Sequence, residues 1–140
     1  MKHRITLLLA LCLSASAAAA ATADEMMSQA YSQGRASGEL TGQVADQIKS
    51  ATRSKAATRG LAERLAIDKD GCYTVKFTVT QPDIPSVTGQ LVGDFVTVTK
   101  FQMCPDSRQQ SEPEVIECRV GATSCLPAKA PGGNAQPLAK

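Results

Sequence analysis

Residues 72–80 read CYTVKFTVT and residues 95–104 read FVTVTKFQMC, and the way these two segments pair decides the fold. In the first, Tyr73, Val75, Phe77 and Val79 alternate with Thr74, Lys76, Thr78 and Thr80. That two-residue period belongs to a strand with one buried and one wet face. The second alternates less cleanly, with Val96 and Val98 opposing Phe95, Phe101 and Met103, so both of its faces are expected to be partly covered. Laid antiparallel, the pair sets Cys72 against Cys104 at the open end of a hairpin. The same register places Tyr73 opposite Met103, Val75 opposite Phe101 and Phe77 opposite Thr99, mostly apolar partners on one face. Pro82 and Pro85 are expected to end the first strand. Thr88-Gly89 and Gly93-Asp94 then mark turns around a short Leu91-Val92 piece.

Downstream, Cys104-Pro105 closes the second strand and residues 106–113 form a polar loop. Val115 to Val120 predicts a short third strand, stopped at Gly121. The tail, residues 126–140, is mostly Pro, Ala, Gly, Asn and Lys and is expected to be disordered, because it has too little apolar surface to offset ordering entropy. Four cysteines, Cys72, Cys104, Cys118 and Cys125, lie in this half of the chain. Of the three possible pairings, the hairpin favours Cys72–Cys104 with Cys118–Cys125. On the loop-entropy model these bridges stabilise by about 3.7 and about 2.5 kcal/mol. There is no C-x-x-C pair, and the spacing suits neither a redox couple nor a four-thiolate zinc site.

Upstream, Met1 to Arg4 is basic, Ile5 to Leu13 is apolar except for Thr6, and Ser14 to Ala23 is small and alanine-rich. This is the three-part pattern of a secretory signal peptide over residues 1–23. Ala21-Thr22-Ala23 is expected to be the cleavage motif, with the cut after Ala23 and Ala21 as the next choice. Without Lys2 and Arg4, 13 basic residues face 13 acidic ones, which gives no electrostatic reason to expect nucleic acid or an anionic membrane as partner. The only histidine is His3, in the leader. Its removal takes away Ser-His and Cys-His nucleophile pairs and most imidazole metal sites. Glu112, Glu114 and Glu117, like Asp68 and Asp70, read as solvated surface. No catalytic residue, cofactor or metal is expected.

Residues 24–70 are rich in Ala, Gln, Glu, Lys and Arg and contain no Pro, a composition that predicts a helical segment. Leu40, Val44, Ile48 and Ala51 form one helical stripe, and Ala57, Leu61 and Leu65 a second. A break is expected over residues 50–54, and Gly71 is suited to a left-handed stop. Gly34, Gly38 and Gly42 recur every four residues, in register with Ala30. In a helix they would make a smooth strip for a close-approaching backbone, at a cost of roughly 1 kcal/mol per glycine. Two readings stand side by side: a frayed N-terminal arm, or a helix that docks against a partner or a second copy.

Residues 26–53, MMSQAYSQGRASGELTGQVADQIKSATR, resemble a segment that follows the signal peptide in mating-pair stabilisation proteins of conjugative plasmids and integrating elements. The matching features are Tyr31, Gly34, Gly38 and Ile48-Lys49. The resemblance covers about a fifth of the chain, which is shorter than those proteins and poorer in cysteine. It implies an exported, cysteine-containing envelope component and carries over no functional residue.

The sequence thus predicts an α+β protein: a helical segment over 24–70, then a disulfide-stapled β domain over 71–125 with about three antiparallel strands, then the tail. The expected function is a non-enzymatic, periplasmic or secreted protein-interaction module of a bacterial-type envelope, within a conjugation or secretion apparatus. Its partners would be other envelope proteins, or a second copy reached through the glycine-spaced helix. The alternative is a small secreted inhibitor or effector that presents the 81–94 connection, centred on Ile84, to a protein target.

Overall fold

The computed structural model describes residues 19–105 and 112–126. The leader's apolar run, the polar loop over 106–111 and the tail beyond Leu126 lie outside them. The described chain runs β1 (Ala21–Thr22), α1 (Ala23–Gln33), β2 (Arg35–Thr41), α2 (Gln43–Thr52), β3 (Arg59–Ile67), β4 (Tyr73–Pro85), β5 (Leu91–Met103), β6 (Glu114–Val120) and β7 (Thr123–Ser124). The strands form one seven-stranded sheet in chain order. β1 and β2 are parallel, joined through α1, and every other neighbour is antiparallel.

This overturns the expected fold of a long helical segment beside about three strands. Among the described residues strand accounts for 52% and helix for 21%, so the architecture is a mixed sheet carrying two short helices. The error lies in residues 24–70. Val44, Ile48 and Ala51 do fall in one helix, α2, which ends at Thr52 with Arg53 left-handed at φ 58°, inside the expected break. Leu40 belongs instead to β2, and Leu61 and Leu65 belong to β3.

The reason is long-range pairing. β3 is composed of helix-favouring Ala, Leu, Glu and Arg, but it lies between β2 and β4. Backbone hydrogen bonds on both sides outweigh a local preference of a few tenths of a kcal/mol per residue. Its small residues serve the same end. Gly60 and Ala62 face the helices, and a Cβ on Gly60 would lie 2.5 Å from the Met26 sulfur.

The core lies between the helices and one face of β2, β3 and β4. Met26 and Ala30 of α1 and Ala45 of α2 pack against Ala36, Leu40, Ala62, Val75, Phe77 and Val79, with Ile48, Phe101 and Met103 at the margin. Among the described residues no helix covers the face formed by Arg35, Ser37, Glu39, Arg59, Glu63, Lys76 and Thr78, and Lys76 Nζ meets Glu63 Oε2 there at 2.8 Å.

The β4–β5 register is the expected one, with Tyr73 on Met103, Val75 on Phe101 and Phe77 on Thr99. Of the two prolines expected to end β4, the strand runs through Pro82 and ends at Pro85. Pairing with β3 stops at Arg59↔Thr80, so beyond that point β4 has a neighbour only in β5. Prolines are tolerated on that unpaired side. The register shifts around Ile84, and Asp83 takes φ 57°.

Candidate interaction surface

Both disulfides follow the expected pairing. Cys72–Cys104 joins the open end of the β4–β5 hairpin at a Cα separation of 4.1 Å, and Cys118–Cys125 ties β6 to the end of β7 at 5.1 Å. Such bridges belong to oxidising compartments. Beside the first, Asp68 builds the β3–β4 turn. Its Oδ1 accepts from the backbone N–H groups of Asp70 and Cys72, each at 2.9 Å, and its Oδ2 accepts from Gln102 Nε2 at 2.6 Å. These bonds hold the Asp68 carboxyl below its ordinary range, the Cys72 N–H contributing most. Asp68 is exposed, as expected of solvated surface, and its carboxylate also organises the turn. The preceding Asp-x-x-Gly spacing was the available signal.

A second arrangement holds the root of the hairpin arm. Gln81 is fully buried, accepts from the Thr58 hydroxyl through Oε1, and donates through Nε2 to Ser54 Oγ at 3.0 Å and to the Ala56 carbonyl at 2.9 Å. Ser54 in turn donates to the Pro82 carbonyl at 2.6 Å. The turn between α2 and β3 is thereby anchored to β4 just past the point where pairing with β3 ends. Arg64 works similarly at the other end of the core. It donates to the Tyr31 carbonyl at 2.7 Å, in the last turn of α1, and lies 4.6 Å from the centre of the Tyr73 ring.

Beyond Gln81, residues 82–94 form a two-stranded arm. A tight turn closes it, with Gly89 N–H donating to the Ser86 carbonyl at 3.0 Å and Ser86 N–H to the Gln90 carbonyl at 2.7 Å. Gly89 supplies the φ of 83° that the turn requires. Val87 at the apex is 96% exposed, Leu91 66% and Val92 47%. Charge on the arm is confined to Asp83 and Asp94, and the Asp94 carboxylate accepts from the Asp83 N–H. Val87 therefore stands in solvent at the turn, with Leu91 and Val92 exposed on the strand that leads back from it.

The expected contact residues fall elsewhere. Ile84 is 7% exposed, buried rather than presented to solvent. Gly34, Gly38 and Gly42 do not share a helix. Gly34 is the left-handed C-cap of α1, Gly38 lies within β2, and Gly42 is the N-cap of α2 at φ 80°. Their four-residue spacing reflects a seven-residue strand set between two helix ends, so the glycine-spaced docking helix is absent.

Among the described residues, no group of three His, Cys, Asp or Glu side chains is placed to hold a metal, and no helix is long and apolar enough to cross a membrane. No family model, curated protein or solved structure matches this chain.

Proposed function

We propose that this chain is an exported, non-enzymatic assembly module of a bacterial-type envelope, which docks onto another envelope protein through the tip of its β4–β5 arm. The observation that carries the reading is the exposure of Val87, Leu91 and Val92 at the end of a projection pinned by Gln81 and its partners. Other apolar side chains are exposed too, Leu65 and Ile67 on β3 among them, but Val87 is the most exposed large hydrophobic among the described residues, and exposed apolar groups mark contact sites. The resemblance of residues 26–53 to mating-pair stabilisation proteins suggests the apparatus, a conjugative transfer or secretion machine. In this chain those residues build most of α1, the strand β2 and α2, away from the β4–β5 arm.

The test is co-purification from the periplasm of the native host, with the wild-type chain and with Val87→Asp. Recovery of an envelope partner by the wild type and its loss in the variant are expected. A monomer that recovers no envelope protein overturns the reading. The same projecting turn also fits a small secreted inhibitor or effector, with Val87 in place of Ile84 as the inserted residue. A one-to-one complex with a soluble target, in place of an envelope assembly, would establish that second reading.

A further inference from the structure

The geometry points to a processing site upstream of Ala21, so that the exported chain keeps Ala21 and Thr22 as working parts of its fold; this rests on the export reading above. Sequence alone allows several cuts, because Ser16-Ala17-Ala18, Ala17-Ala18-Ala19 and Ala18-Ala19-Ala20 present the same small-x-small spacing as Ala21-Thr22-Ala23. The fold separates them.

Ala21 and Thr22 form β1, paired with Leu40 and Thr41 of β2, and Ala21 packs on the core. Thr22 is the N-cap of α1. Its hydroxyl accepts from the Glu25 N–H at 3.3 Å, and the Glu25 carboxylate accepts from the Thr22 N–H at 2.8 Å. This reciprocal box satisfies two of the helix's free N–H groups, and it holds the Glu25 carboxyl below its ordinary range. A cut after Ala23 removes the strand and the cap together. It also leaves a new ammonium group in the first helical turn, where the helix dipole disfavours positive charge.

Gly38 adds an independent argument. Glycine weakens a strand interior and needs a reason to be there. A Cβ on Gly38 would lie 2.6 Å from the Ala19 carbonyl oxygen. Backbone at that position, just ahead of β1, leaves room for nothing larger than glycine.

The experiment is intact-mass and N-terminal sequencing of the processed protein recovered from the periplasm of its host. A first residue of Ala19, Ala20 or Ala21 upholds retention of Ala21 and Thr22, and of these only Ala19 keeps the backbone that Gly38 accommodates. A first residue of Thr22 or Asp24 in an exported protein overturns this inference and leaves the export reading standing. An uncut chain retained in the cytoplasm overturns both. A second measurement compares melting of the processed wild type and Thr22→Ala proteins, the N-terminus of each being read in parallel. Losing the cap should lower Tm by about 4 °C. Identical melting overturns the inference, since a residue removed with the leader has no effect on the mature fold.

Discussion

Gln81 shows how one side chain can settle where an element turns from scaffold into projection. It lies on the same strand face as Val75, Phe77 and Val79, yet it is polar and wholly buried, with both ends of its amide satisfied. Gln81→Leu keeps the volume but takes the acceptor from the Thr58 hydroxyl and the donor from Ser54 Oγ and the Ala56 carbonyl, and an unsatisfied buried polar group costs about 1–3 kcal/mol. Urea unfolding should show that loss, together with faster proteolysis of the 53–58 turn. Asp68 makes a pH prediction. Its folded pKa is depressed below the ordinary value of 3.8, so the stability it contributes is fully present above that value and fades as pH falls through the lower folded one. A series of urea midpoints between neutral pH and pH 2 should therefore decline at the acid end. Asp68→Asn should flatten that decline, and an unchanged acid limb would remove the turn from the account. Glu63, lowered chiefly by its hydrogen bond to Lys76, titrates in the same direction.

For single elements, the contrast is between β3, whose conformation is imposed by its neighbours, and the β4–β5 arm, which relies on itself. β3 has pairing partners on both sides and packs Gly60 beneath Met26. Gly60→Ala should destabilise by about 1–3 kcal/mol through overpacking, read as a shifted urea midpoint at constant slope. The arm behaves oppositely. Val87 touches solvent almost everywhere, so Val87→Asp should leave unfolding within about 0.5 kcal/mol of wild type while ending partner recovery. A variant that loses stability along with binding would show that the tip is buried in the free protein.

Across the whole molecule, the two bridges divide the work unequally. Cys72–Cys104 closes a loop with a sequence separation of 32, and Cys118–Cys125 one of 7. Replacing the first pair with serine should cost about 3.7 kcal/mol and the second about 2.5, a ranking that urea denaturation of the two double variants measures directly. What the sequence by itself determined was local and period-two: strands β4, β5 and β6, the hairpin register, and through it both cysteine pairings. Alternation and the cysteines at the strand ends point to one register, and a slip of a single residue would turn the whole apolar face outward. Residues 24–70 are the converse. Ala, Leu, Glu and Arg are good helix formers whose small preferences are overridden once pairing partners arrive from distant parts of the chain. Gly34, Gly38 and Gly42 likewise take their roles from neighbours the sequence does not place beside them. Only the tertiary structure decided that β2 and β3 are strands, that Ile84 is buried while Val87 stands out, and that Thr22 caps α1. All but the cap depend on contacts between residues far apart in sequence, where local periodicity carries no information.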